Sequence, residues 1–127
     1  MKKVSFLIAV LVAAVFTVGN VQAQDAKKAK TIKLDQVPGE FTKTSLKLKA
    51  GQPYIFQVTN KGVDKEVGFV IAQGDPSDQK NHVAEAYLSK TIKDGETASS
   101  KVVTLEPGTY QYFCPLNPTP HYEIVVK

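Results

Sequence analysis

The chain has 127 residues, a formal net charge of +4 and 9% aromatic residues, which together indicate one globular domain with a single modest core. Every basic residue is a lysine, whereas proteins that bind nucleic acids or phosphates usually use arginine forks, so we expect no nucleic-acid partner. The single cysteine excludes an internal disulfide.

The first 23 residues have the pattern of a secretory signal peptide. The start "MKK" is followed by an apolar run over residues 4–18 and by "VQA", which suits a signal peptidase. A membrane anchor is the less favoured interpretation, because the run is short for a span and no stop-transfer segment follows. We therefore expect a periplasmic or secreted protein that is free of the membrane once residues 1–23 are removed. Residues 24–30 are predicted to be a flexible lysine-rich lead-in, and residues 31–127 the folded domain.

Short strands separated by turn residues follow in chain order. "TIKLD" (31–35) and "SLKLKAG" (45–51) alternate apolar and polar residues, while "YIFQVTN" (54–60) and "VGFVIA" (67–72) are rich in strand formers. "HVAEAYLSK" (82–90) fits a helical turn, and "ETASSKVVTL", "TYQYFC" and "HYEIVVK" complete the chain as strands. Seven or eight short strands without a long helix predict an all-β Greek-key sandwich.

The segment "YFCPLNPTPHYEIVVK" places Cys114 and His121 at the two ends of a proline-rich loop. Cys114 shares one strand face with Tyr110 and Tyr112. The three prolines stiffen the loop and so lower the entropy cost of holding a thiolate and an imidazole in one geometry. Such ligands suit copper or zinc. From the residues alone, a buried structural cysteine and a histidine that begins the last strand are the simpler interpretation, because two ligands do not define a site.

The stretch "LEPGTYQYFCPLNPTPHYEIVV" resembles the cupredoxins, the blue copper family of plastocyanin, amicyanin and azurin. The shared pattern is a Pro-Gly turn, an aromatic strand that ends in a cysteine, a loop with a histidine, and a last strand. "LKLKAGQPYIFQVTNKG" is similar to an earlier strand pair of the family, in which the residue matching Asn60 ties the ligand loops together. Turn formation explains Asn60 equally well. The resemblance implies a cupredoxin sandwich with copper as cofactor and with Cys114 and His121 as ligands.

Two departures from the family pattern leave the ligand set incomplete. "NKGVDKEVGFVIA", where an upstream histidine is expected, contains none, and Lys65 falls in its position with Glu66 beside it. A one-residue bulge would exchange them, and a carboxylate is the better ligand. The axial methionine is also absent. We predict a copper site formed by Cys114, His121 and Glu66, with zinc or no metal as alternatives; His82 is a further candidate ligand, although a surface position explains it more simply.

The sequence is compatible with three functions. The first is an exported copper protein for electron transfer or copper handling, with a periplasmic redox or copper-transfer partner that docks on Leu116 and the loop prolines. The second is a metal-free cupredoxin-like binding or assembly module, motivated by the missing ligands. The third is a thiol redox sensor at Cys114, ranked last because no resolving cysteine exists. No catalytic triad, phosphate-binding glycine loop or carboxylate cluster is recognisable, so we expect no enzyme.

Overall fold

The computed structural model of the protein describes residues 28–127, so the predicted signal peptide lies outside the described residues. This part of the chain forms eight strands and two short 3₁₀ helices, Gln79–Asn81 and Ala84–Ala86. The strands are β1 (Lys30–Val37), β2 (Glu40–Phe41), β3 (Ser45–Leu48), β4 (Pro53–Asn60), β5 (Val70–Ala72), β6 (Thr97–Thr104), β7 (Gly108–Phe113) and β8 (Tyr122–Val126). The all-β prediction is confirmed, and the helical turn predicted within residues 82–90 is present as the second 3₁₀ helix.

The strands form two four-stranded sheets that pack as a β-sandwich. One sheet has the order β2-β1-β4-β6 and the other the order β3-β8-β7-β5. β1 runs parallel to β4 and β3 runs parallel to β8, whereas the other neighbours are antiparallel. In the first sheet the ends of β1 and β4 coincide, with Gln36 opposite Asn60. The loop after β7 reaches the same end, where Asn117 contacts Gln36 across the two sheets.

The core fills the space between the sheets because each strand turns alternate side chains inward. β4 shows this directly, since its burial alternates along all eight residues. Five aromatic rings form the centre of the core, and neighbouring ring centroids lie 5.2–6.1 Å apart; they belong to Phe41, Phe56, Phe69, Tyr112 and Tyr122. Burying one such ring stabilises the fold by roughly 1.5–3 kcal/mol. These five aromatic residues therefore contribute much of the stability of a fold that has no disulfide to stabilise it.

Local side-chain chemistry sets the turns. Gly39 has φ +76°, which a residue with a Cβ rarely adopts, and it closes the turn between β1 and β2. Asp75 accepts hydrogen bonds from the hydroxyl and the backbone N–H of Ser77, at 2.7 and 3.0 Å, and these bonds lower the pKa of its carboxyl. Asp78 accepts from the backbone N–H of Lys80. Both aspartates thus stabilise turns in the segment before the first 3₁₀ helix and at its start. Over residues 28–127, no helix has the length and apolar character needed to span a membrane.

Candidate metal centre

Cys114 follows β7 directly, at the end of the sandwich where Gln36 and Asn117 meet. Its side chain continues the inward face of Tyr110 and Tyr112, as the alternation predicts, and packs in the main core cluster. Only 3% of the residue is exposed. The preceding residue, Phe113, points the opposite way and packs with Val70 and Ala72 on the outer side of the second sheet. The strand therefore separates the thiol from its nearest aromatic neighbour in sequence.

Three backbone N–H groups point at the sulfur of Cys114. Asn117 donates at 3.1 Å, Gly68 at 3.3 Å and Leu116 at 3.4 Å. Two of these donors come from the loop after β7, and Gly68 comes from the segment before β5. Backbone N–H groups directed at one atom complement a negative charge on it, so this arrangement suits a thiolate.

The loop from Pro115 to Pro120 is closed by a threonine as well as stiffened by prolines. The hydroxyl of Thr119 accepts the backbone N–H of Cys114 at 3.1 Å and donates to the carbonyl of Pro120 at 3.0 Å. This bond spans the loop and leaves fewer conformations than the prolines alone would permit. The loop is therefore a defined support for the sulfur.

A buried pair of amides joins the loop after β7 to the first sheet. Gln36 donates to the carbonyl of Gly68 at 3.1 Å and accepts from the amide of Asn117 at 2.9 Å. Asn117 also donates to the carbonyl of Val37 and accepts the backbone N–H of Gly39, both at 3.0 Å. Gln36 is fully buried and Asn117 nearly so. Among the described residues, every buried side-chain nitrogen and oxygen has a hydrogen-bond partner, which includes these amides.

His121 lies at the far end of the loop, on the outer side of the second sheet. Its exposed ring stacks on Phe113 with ring centroids 4.4 Å apart and an interplanar angle of 34°. It borders a cavity of about 280 Å³ together with Gln111 and Glu123, two outward residues that pair across β7 and β8. The structure thus places the two predicted loop ligands in different environments, with Cys114 in the core and His121 on the surface.

His82 lies near the same outer cluster and has both ring nitrogens engaged. One nitrogen, Nε2, lies 2.7 Å from the carbonyl oxygen of Pro76 and must donate to it. The other, Nδ1, lies 2.7 Å from the hydroxyl of Tyr87, and the ring meets Phe113 edge-on at 6.3 Å. Because both nitrogens have protein partners, His82 holds the segment before β6 in place and has no free ligand atom.

Glu66 and Lys65, the two candidates for the missing upstream ligand, both sit on the exposed loop between β4 and β5. The carboxylate of Glu66 accepts the hydroxyl of Thr91 at 2.8 Å. The carbonyl of Lys65 accepts from the side chain of Asn60, which also bonds Val63 and Ile92. Asn60 therefore ties its own loop to the segment before β6. The tie from the sulfur-bearing loop to the first sheet is made by Gln36 and Asn117.

Sequence reasoning missed three residues of this region: Gln36, Gly68 and Asn117. Gln36 carried a usable signal, since it continues the inward series Ile32 and Leu34 as a polar residue on an apolar face. A buried amide in such a position requires a partner. Asn117 is one polar residue among loop prolines, and Gly68 has no side chain, so neither had a comparable local signal.

An apolar groove lies beside the sulfur. A cavity of about 310 Å³ is bordered by Gly68, Tyr87, Leu88, Pro115 and Leu116, among others. Tyr87 and Leu116 are 41% and 44% exposed, and they are the large hydrophobic residues most open to solvent in the described part of the chain. The groove coincides with the apolar surface expected around Leu116 and the loop prolines.

The chain belongs to the family of cupredoxin-like domains, whose model matches residues 7–126. Its fold resembles that of auracyanin B (TM-score 0.65, 19% identity, covering 79% of this chain and 90% of that one). It also resembles auracyanin A, a blue copper protein of Chloroflexus aurantiacus (TM-score 0.62, 21% identity, covering 76% and 98%), and an auracyanin of Roseiflexus castenholzii (TM-score 0.62, 17% identity, covering 78% and 98%). Among curated proteins, none matches this sequence.

The donor set can be compared with what copper requires. Within residues 28–127, no three His, Cys, Asp or Glu side chains are grouped as a metal site. The neighbours of Gly68 in the chain, Val67 and Phe69, are buried and apolar, so the segment that meets the sulfur offers no ligand side chain there. The residues do not fit a blue copper set of one thiolate and two imidazoles. A metal site that used Cys114 would therefore need fewer protein ligands than that set, or ligands that lie elsewhere in this arrangement.

Proposed function

We propose that this cupredoxin is exported and binds copper through Cys114, for electron transfer or copper handling in the periplasm or outside the cell. The observation that carries the proposal is the convergence of three backbone N–H groups on one buried sulfur. Hydrogen-bond donors directed at a sulfur complement the charge of a metal-bound thiolate, which is the form of cysteine that binds a soft metal. Copper, when bound, would supply a one-electron redox centre, and the protein would act as a carrier.

His121 and Glu66 are the proposed additional ligands. His121 shares the loop with Cys114, and its ring is held by stacking on Phe113 without a hydrogen bond from another side chain among the described residues. Glu66 lies two residues before Gly68, whose N–H meets the sulfur. Its carboxylate has a single described partner, the hydroxyl of Thr91. Both side chains are exposed, so little packing opposes a change of rotamer.

The groove beside Leu116 is the proposed docking surface for a redox or copper-transfer partner. It is apolar, it includes the exposed Tyr87 and Leu116, and it borders Gly68 next to the sulfur. A partner bound there would contact Gly68, whose N–H donates to the sulfur. Exposed apolar surface of this kind is typical of transient protein contacts.

The decisive experiment is a copper titration of the exported protein, followed by visible absorption and paramagnetic resonance. We expect one equivalent to bind and to produce a thiolate-to-copper charge-transfer band that Cys114→Ser abolishes. His121→Ala and Glu66→Gln are expected to shift the band or weaken binding. His82→Ala is the matched control, because its imidazole has other partners, and it should leave the band unchanged. Stoichiometric binding that survives Cys114→Ser would contradict the proposed site.

A metal-free binding or assembly module is the second candidate, and a specific observation favours it. Neither His121 nor Glu66 is directed at the sulfur by a hydrogen bond, and no three-ligand group exists among residues 28–127. The same titration separates the two candidates. Failure to bind either copper or zinc stoichiometrically, with the thiol reduced and the fold intact, would establish the second candidate and direct attention to the apolar groove.

A further inference from the structure

Two of the three N–H groups that meet the sulfur belong to residues that Gln36 also binds. Gly68 donates its N–H to Cys114 and offers its carbonyl to the amide of Gln36. Asn117 donates its N–H to Cys114 and its side-chain amide to the oxygen of Gln36. Leu116, the third donor, has no bond to Gln36. One side chain therefore contacts both segments that close over the sulfur, from a strand that contributes no donor itself.

We propose that Gln36, together with Asn117, is a positioning device that holds the backbone donors of Gly68 and Asn117 on the sulfur of Cys114. The use of that sulfur as a metal ligand rests on the proposed function, but the positioning itself does not. Gln36 is suited to this task because its planar amide donates on one side and accepts on the other. It thereby binds Gly68 and Asn117, which lie 32 and 81 residues after Gln36 in the sequence.

Burial makes this link stiff. Gln36 is fully buried, and Asn117 is 4% exposed, so water cannot replace a lost bond without entering the core. A buried polar group that loses its partner destabilises the fold, so the bonded arrangement is strongly preferred. Asn117 is fixed further by the carbonyl of Val37 and the N–H of Gly39, which extends the contact to the β1–β2 turn. Two of the three donors of the sulfur are thus held by the first sheet, while the cysteine follows a strand of the second.

The network also accounts for polar residues that neither packing nor turn formation requires. A leucine in place of Gln36 would continue the apolar inward face of Ile32 and Leu34. The amide of Gln36 instead donates to the carbonyl of Gly68. The backbone of Gly68 thereby bonds Gln36 through its carbonyl and the sulfur through its N–H.

Amide hydrogen exchange in the metal-free, reduced protein tests the proposal. In Gln36→Leu we expect the amides of Gly68 and Asn117 to exchange at least about tenfold faster, relative to core amides such as that of Ile124, which lies in the central strand β8. Ser100→Ala is the matched control, because it removes another buried side chain that bonds backbone groups, those of Phe56 and Lys101. It should change the amides of Gly68 and Asn117 no more than it changes the rest of the core.

A second variant separates the two arms of Gln36. Asn117→Ala removes the side chain that binds Gln36 but keeps the bond from Gln36 to the carbonyl of Gly68. Exchange at position 117 should accelerate, while the amide of Gly68 keeps most of its protection. Uniform acceleration of all core amides in both variants would overturn the proposal, since it would show that Gln36 only adds to global stability.

The copper-loaded protein provides the independent readout. If copper binds, Gln36→Leu should move the energy of the charge-transfer band, because the N–H donors alter the charge on the sulfur. Ser100→Ala should leave the band in place. If the exchange result holds and copper does not bind, the positioning stands and the proposed function fails. If copper binds and exchange at Gly68 and Asn117 stays at the wild-type rate in Gln36→Leu, the positioning fails and the function stands.

Discussion

The two ends of the loop after β7 differ more than their closeness in sequence suggests. Cys114 lies in the core, where the sulfur accepts three N–H groups and the surrounding side chains belong to both sheets. His121 lies on the outer surface, where its main contact is the ring of Phe113. Seven positions in the chain thus separate a cysteine whose contacts depend on tertiary structure from a histidine whose main contact is one aromatic ring. A cysteine and a histidine that lie close together in the sequence are therefore not necessarily directed at one metal position.

The largest expected effect is the loss of stability when an aromatic ring of the core is removed. Phe41→Ala should lower the free energy of unfolding by about 3–5 kcal/mol, because the ring is 1% exposed and packs edge-on against Phe69, Tyr112 and Tyr122. Denaturant unfolding followed by fluorescence or circular dichroism measures the change. The matched control is Leu116→Ala, on the exposed side of the same region, which should cost less than about 0.5 kcal/mol. Equal losses in both variants would contradict the comparison.

An alkaline titration tests the burial of Tyr112, which lies in the core on the same strand face as Cys114. Burial and the neighbouring Tyr122 raise the pKa of Tyr112 to about 12. An unfolded tyrosine ionises near pH 10, so the folded state binds the proton more tightly between these values. Stability is therefore present below pH 10 and falls as pH rises toward 12, by up to about 2–3 kcal/mol.

Unfolding curves measured between pH 9 and 12 check this decline. Tyr112→Phe should flatten it, at the cost of the hydrogen bond that the hydroxyl donates to the carbonyl of Lys43. Tyr87→Phe removes a partly exposed hydroxyl and should retain the wild-type decline. An unchanged decline in Tyr112→Phe would assign the alkaline effect to another group.

The smallest effect is expected at the surface end of the loop. His121→Ala should cost less than about 1 kcal/mol, because the exposed imidazole loses one aromatic contact and no hydrogen bond to a described residue. Thermal unfolding of the metal-free protein measures it. A loss comparable with that of Phe41→Ala would mean that His121 supports the fold, and the division of the loop into a core end and a surface end would be wrong.

Much of the fold could be predicted because strand signals are local. The alternation in "SLKLKAG" is present in β3, and the strand formers of "YIFQVTN" lie in β4. The inward face shared by Tyr110, Tyr112 and Cys114 also followed from the period of two. The family resemblance is confirmed by the match over residues 7–126. The signal peptide, the flexible lead-in and the ligand roles of Cys114, His121 and Glu66 stay predictions.

The candidate site could be predicted only in part. The resemblance placed Lys65, or Glu66 after a one-residue bulge, at the position of the missing ligand, but the residue that meets the sulfur is Gly68, which bonds through its backbone. Every residue except proline has a backbone N–H, so the residue type does not show which N–H will donate to the sulfur. Asn60 has the buried tying role that the resemblance suggested, yet it ties a different pair of segments. Its partners depend on how the loops cross at the end of the sandwich, which no single segment encodes.

The sequence by itself determined the class of fold, the positions of most strands and turns, and the presence of a stiff loop between a thiol and an imidazole. These features follow from periodicity, proline and glycine, all of which act over a few residues. Tertiary structure decided that the backbone N–H groups of Gly68 and Asn117, two residues that Gln36 binds, meet the sulfur and that His121 faces outward. Those contacts join residues 46 and 81 positions distant in the chain, so they exist only after the two sheets have packed and closed the core around them.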